Sequence, residues 1–147
     1  MDVRPAVEAD LPRILELLFS DRATPSDEAS PDAPCYAGAF REMQASPVSR
    51  TYVALHDGRI AGTFMLSFLR HLMRQGSLVA VIEAVRIDAT LRGRGLGAEM
   101  MRWAIDESRR RGCSVLQLTS NKSRKDAHRF YRRLRFEASH LGMKLAL

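Results

Sequence analysis

Long apolar runs are missing from this 147-residue chain: no stretch approaches the roughly 20 apolar residues that a membrane-spanning helix needs. Its first residues, Met1-Asp2-Val3-Arg4-Pro5, mix acid and base where a secretion signal has a basic tip followed by an apolar run. A soluble, cytoplasmic protein with no membrane partner is expected. Cysteine is scarce, and Cys35 and Cys113 lack the short spacing of a zinc site or redox pair. The four histidines, His56, His71, His128 and His140, are equally scattered. Neither a metal nor a disulfide is expected. Internal repeats and low-complexity tracts are absent as well, and 46% hydrophobic residues suffice for one core. One domain over residues 1–147, without a linker, is the expectation.

Charge is present in excess of one sign. Lys and Arg number 23 against 17 Asp and Glu, for a net charge of +6 and a pI near 10.0. Nucleic acid, a phosphorylated cofactor and simple solubility all fit that surplus. Its position is more telling: Arg109-Arg110-Arg111 and the run Lys122, Arg124, Lys125, Arg129, Arg132, Arg133, Arg135 crowd the last third.

Periodicity supplies the elements. Val3 and Arg4 read as a short strand, and Asp10 as the cap of a helix carrying Leu11, Ile14, Leu15 and Leu18. Asp21 to Pro34 has little to bury and reads as a mobile loop or lid, and Tyr36 to Gln44 as a short helix that Pro47 ends. Thr51 to His56 and Arg59 to Leu69 form a hairpin around Asp57-Gly58, a dipeptide suited to a type I′ turn. Ser77 to Ile87 is apolar enough for an interior strand. A helix follows from Leu96 with Met100, Trp103, Ala104 and Ile105 on one face and Gly112 at its end; Val115 to Thr119 is a strand, and Arg124 to Leu134 a helix. Phe136 to Leu147 reads as two short strands broken near Ser139 or Gly142. This order predicts an α+β (α/β) domain with one mixed sheet and a parallel crossover between the fourth and fifth strands.

Between the fourth strand and the next helix lies Arg92-Gly93-Arg94-Gly95-Leu96-Gly97. Several amides can turn toward one point there, and the helix adds about half a positive charge at its N-terminus, so the geometry suits an anion such as pyrophosphate. A tight solvent loop is the bland alternative. A Walker-type loop is excluded, because no Gly-Lys followed by Ser or Thr is present. Gly93, Gly95 and Ala98 also satisfy G-x-G-x-x-A, but dinucleotide folds place that motif after a first strand and expect an acid about 20 positions on; here Thr119 and Ser120 occupy that region.

Arg92-x-x-Gly95-x-Gly97 after Ile82-Glu83-Ala84-Val85-Arg86-Ile87, with Ala127-x-x-Phe130-Tyr131-x-x-Leu134-Arg135-Phe136 later, resembles the GNAT family of N-acetyltransferases. The resemblance extends over the chain from its first strand onward. It departs at Arg135, where the family has glycine, and at Asn121, which lies ten residues before Tyr131, farther than the family's usual spacing, which falls on Arg124.

The resemblance implies a mostly antiparallel central sheet flanked by about four helices, with the fourth and fifth strands splayed apart. It implies acetyl-CoA as co-substrate, with no metal, and direct transfer in a ternary complex to a primary amine of a small molecule or peptide. Val85, Arg86 and Ile87 would contact pantetheine and the acyl carbonyl. Arg92, Gly93, Arg94, Gly95, Leu96, Gly97 and Ala98 would hold the pyrophosphate, and either Asn121 or Arg124 would add a cofactor contact. Tyr131 aligns with the family's general acid; a phenol, with an ordinary pKa of about 10, stays protonated at neutral pH. Glu83, expected to share a strand face with Val85 and Ile87, is a candidate base, with solvent as the alternative. The acids Asp21, Asp27, Glu28 and Asp32 could draw in a cationic amine, or simply solubilise their loop. Dimers are common in the family, so a homodimer is implied. Two rival classes are a basic nucleic-acid-binding or regulatory module and an NADP-binding oxidoreductase; the first lacks a helix-turn-helix, zinc or RNP-like signature.

Overall fold

Asp57 and Gly58 both adopt positive φ, 50° and 74°, so the tight turn forms as its residue types require and joins the two central strands. The computed structural model describes residues 1–20 and 28–146; Asp21 and Asp27 of the expected acidic loop lie outside them. The strands are β1 (Asp2–Pro5), β2 (Ser49–His56), β3 (Arg59–Arg70), β4 (Leu78–Ile87) and β5 (Cys113–Gln117). They form one sheet in the order β1-β2-β3-β4-β5. All neighbours are antiparallel except β4 and β5, which are parallel. The helices are α1 (Leu11–Phe19), α2 (Pro34–Ala45), α3 (Leu96–Arg110) and α4 (Lys125–Arg133). A further helical turn, Met73–Gly76, has Arg74 and Gln75 at positive φ and is not a regular helix. The chain divides into two compact units, Met1–Gln117 and Leu118–Leu147.

In the first unit each face of the sheet is covered by different helices. Tyr52 and Phe64 stack with ring centroids 5.3 Å apart, and Trp103 of α3 lies 5.1 Å from Tyr52. Behind the sheet, Val53 packs with Ala6, Ile14 of α1 and Phe40 of α2. Gly62 is required by this packing: a Cβ there would lie 2.6 Å from Ile87 Cδ1 and 2.8 Å from the Arg86 carbonyl oxygen. The arginines ending α3 are largely committed to neighbours. Arg109 pairs with Asp106, while Arg110 and Arg111 both pair with the buried Glu107. The Arg111 guanidinium also lies 4.2 Å from the centre of the Phe68 ring.

Several local expectations change. Asp10 does not cap α1 with its side chain; it closes the 3₁₀ turn Glu8–Asp10 by accepting the Val7 N–H at 2.8 Å, and it holds Arg4 at 2.6 Å. That ion pair lowers its carboxyl pKa. The fifth strand begins two residues earlier than periodicity suggests, at Cys113, and ends at Gln117. No strand follows Gln117 among the described residues, so the two expected terminal strands are absent there. Leu141, Met143 and Leu145 alternate as a strand would, yet are 63%, 86% and 85% exposed. Alternation supplies propensity, whereas a strand needs a hydrogen-bonded neighbour. In the acidic segment, Glu28 accepts a hydrogen bond from the Tyr36 hydroxyl at 2.7 Å, which pushes that phenol up to about 12.

Candidate active site

The fourth strand changes character midway. From Leu78 to Val81 it is laddered on both sides, to β3 and to Cys113–Gln117. Beyond Val81 the ladder to β5 stops, so Ile82–Ile87 has a free edge on that side among the described residues. This is the splay implied by the family resemblance. Over the same stretch β4 bulges: Met65 faces Glu83 and Thr63 faces Arg86, so two steps along β3 are matched by three along β4. Ala84 sits inside the bulge at φ 53°, a left-handed conformation that costs a non-glycine residue of order 1 kcal/mol. The expectation that Glu83, Val85 and Ile87 share one face is therefore corrected. The extra residue places Glu83 and Arg86 on one face and Ile87, opposite Gly62, on the other. Glu83 is exposed, and the Arg86 guanidinium donates to the Val85 carbonyl at 3.0 Å.

A brace follows the bulge. The Asp88 carboxylate accepts the Thr90 N–H at 2.8 Å and the Thr90 hydroxyl at 2.7 Å, capping the 3₁₀ turn Ala89–Leu91. It also pairs closely with Arg13 of α1. These contacts, Thr90 first, hold its pKa at about 2. The sequence reading passed over this residue, although Asp-x-Thr at a turn is a legible capping signal.

Then comes the glycine loop. Gly93 and Gly95 take φ of 80° and 83°, and Gly95 is the residue that initiates α3. No atom lies within 4 Å of a Cβ added at either, so glycine is required there by conformation rather than by packing. The N–H groups of Gly93, Arg94, Gly95, Leu96 and Gly97 donate to no backbone carbonyl among the described residues, whereas that of Ala98 is bonded to the Gly95 carbonyl at 2.9 Å. Arg92 and Arg94 are exposed beside them. Alternating left-handed residues, amides without backbone acceptors and a 15-residue helix behind them are the features that suit a loop to an anion. Such a loop, with donors and two cations and no acid among its residues, is chemically compatible with a pyrophosphate.

The second unit holds the remaining candidates. Asn121 closes a turn in which its side-chain oxygen accepts from Ser123 N–H at 2.9 Å and Ser123 hydroxyl at 2.8 Å, and Arg124 stands immediately before α4. Tyr131, half-buried on α4, has Phe130 and Phe136 edge-on at 5.2 and 5.8 Å. Arg135 has φ 68°, with its N–H on the Arg132 carbonyl and the Phe136 N–H on the Tyr131 carbonyl. That is a Schellman stop, which explains why a glycine belongs at this position.

With this geometry in view, the comparisons are decisive. The Acetyltransferase (GNAT) family pattern matches residues 11–136. The chain belongs to that family. Among its relatives, the aminoalkylphosphonate N-acetyltransferase of Salmonella typhimurium is 28% identical over 116 residues, covering 79% of this chain and 75% of that one. The glucosamine 6-phosphate N-acetyltransferase of Trypanosoma brucei brucei is 30% identical over 149 residues, covering 100% and 96%. A crystal structure described as a transcriptional regulator from Bacillus halodurans C-125 superposes with a TM-score of 0.94 at 36% identity, covering 99% of both chains. The glycine motif follows the fourth strand of a sheet whose other neighbours are antiparallel, whereas a dinucleotide G-x-G-x-x-A follows the first strand of a mostly parallel sheet. No helix among the described residues is long and apolar enough to cross a membrane.

Proposed function

We propose that this GNAT member transfers an acetyl group from acetyl-CoA to a primary amine of a small molecule or peptide, by direct attack in a ternary complex. Residues 1–147 act as one N-acetyltransferase domain, in the cytoplasm and as a homodimer. One observation carries the proposal: the free, bulged edge of β4 leads, through the Asp88-capped turn Ala89–Leu91, into the glycine loop. Acetyl-CoA brings the acetyl group as a thioester, with a thiolate to leave. The amides of Gly93 to Gly97, with Arg92 and Arg94, hold the pyrophosphate, and Ala98 contributes through the helix turn it closes. The backbone edge of Val85, Arg86 and Ile87 docks the pantetheine arm and polarises the acyl carbonyl with an N–H. Glu83, exposed beside the bulge, takes the proton of the incoming amine, directly or through water; solvent is the alternative base. Tyr131 donates a proton to the departing sulfur, and Asn121 or Arg124 adds a cofactor contact. Each positioned acid or base contributes about 10²- to 10⁴-fold.

The names of the two N-acetyltransferase relatives favour a small-molecule acceptor. The test is thiol release from acetyl-CoA over a panel of amines that includes aminoalkylphosphonates and glucosamine 6-phosphate. Release with at least one amine is expected, together with a rise in Tm on adding acetyl-CoA but not NADPH. Tyr131→Phe should lower kcat about 100-fold or more. Full turnover by that variant removes Tyr131 from the mechanism, and no thiol release with any amine removes the activity.

A further inference from the structure

The face that Glu83 shares carries hydroxyl groups the mechanism above does not use. Cross-strand register lays this face out in rungs. Val53 and Thr63 form one, only 0% and 1% exposed beneath the helices that pack there. The next, Thr51, Met65 and Glu83, is partly open, and so is most of the one beyond it, Ser49, Ser67 and Val81. The floor beside the candidate base is therefore packed at the Val53–Thr63 rung and partly open over the rungs from Thr51 to Val81.

Within it the hydroxyls of Ser49 and Ser67 lie 2.8 Å apart, each with no other side-chain partner among the described residues. Ser67 stands on the central strand β3, 8% exposed, between the buried Leu66 and Phe68. Thr63, on the same strand and face, has its hydroxyl committed to the Tyr52 carbonyl at 2.9 Å. The serine pair is different, since one proton serves the mutual bond while the second proton and the remaining lone pairs stay unused. Strand geometry puts Ser67 diagonally across from Glu83, at about 7–8 Å between backbones. An amine whose nitrogen sits at Glu83 can place a substituent a few bonds away over the serine pair.

We infer that Ser49 and Ser67 select the acceptor, favouring an amine that bears a hydroxyl group a few bonds from its nitrogen, such as an amino alcohol or amino sugar, over the deoxy counterpart. This rests on the acetyl-transfer activity proposed above. One serine donates its unused proton to the acceptor oxygen, and the pair accepts the acceptor's proton in return, so binding replaces water without leaving a buried group unpaired.

Thiol-release kinetics on matched amines, with and without the hydroxyl, test this. The unmodified protein should favour the hydroxylated amine about tenfold in kcat/KM. Ser67→Ala and, separately, Ser49→Ala should erase most of that preference through acceptor KM, leaving the KM for acetyl-CoA unchanged. Ser49 lies on the partly open part of the floor, so its variant retains the test if Ser67→Ala fails to fold. A preference that survives in both variants overturns the inference, even if their Tm falls, because the pair is then only a tie between strands. Turnover with no preference for hydroxylated amines in the unmodified protein also overturns it. Failure of the parent activity looks different: no acetyl-CoA binding by thermal shift and no thiol release from any amine, which overturns both.

Discussion

The two halves of β4 make opposite use of the same kind of sequence. Leu78 to Ile82 is laddered or buried, with Val79, Ala80 and Ile82 at 3%, 0% and 1% exposure. Glu83 to Ile87 is bulged, open on one edge and only partly covered. The first half spends its backbone and side chains on the fold; the second keeps backbone groups and a carboxylate available. A strand can thus be anchored at one end and open at the other, provided the anchored half is stable enough to hold the strained half in place.

The comparison is broken if the two halves respond alike to substitution. The largest expected effect is on turnover: Glu83→Gln should lower kcat/KM by about 100-fold or more while Tm stays nearly unchanged, as steady-state kinetics and thermal unfolding will show. A loss of only a few-fold hands the base role to solvent. Ile82→Ala should do the reverse, costing about 2–5 kcal/mol in stability by denaturant titration, with the remaining folded protein binding acetyl-CoA normally.

A smaller effect sharpens the boundary between the open half and the glycine loop. Asp88 has its pKa held at about 2 by Thr90 and Arg13, well below its unfolded value. Because the folded pKa is depressed, its bracing is complete above the ordinary carboxylate range and is lost as pH falls from about 4 toward 2. Asp88→Asn should lower Tm by a few degrees at neutral pH, and the gap from the unmodified protein should close across that acid window. The smallest effect lies outside β4: Arg135→Gly should stabilise the end of α4 by about 1 kcal/mol, by removing a side chain from a left-handed residue.

Much of the fold was legible in the sequence. Asp57-Gly58 fixed the central hairpin, helical spacing placed α1 to α4 within a few residues, and the glycines of Arg92 to Gly97 marked a tight turn before a helix. The bulge was hidden because Ala84 carries no sign of a left-handed backbone; only the mismatch of register with β3 exposes it. The terminal strands were overread for the converse reason, since Leu141, Met143 and Leu145 have the right alternation and no ladder. Asp88 was missed by attending to the glycines alone.

By itself the sequence determined what local chemistry can encode: the order of elements up to the last helix, the turn glycines and the family motif around them. Tertiary structure decided which face Glu83 occupies, where β4 parts from β5, and that Ser49 and Ser67 meet. Those outcomes depend on pairing between strands distant along the chain, and a shift of one residue in register moves a side chain to the opposite face.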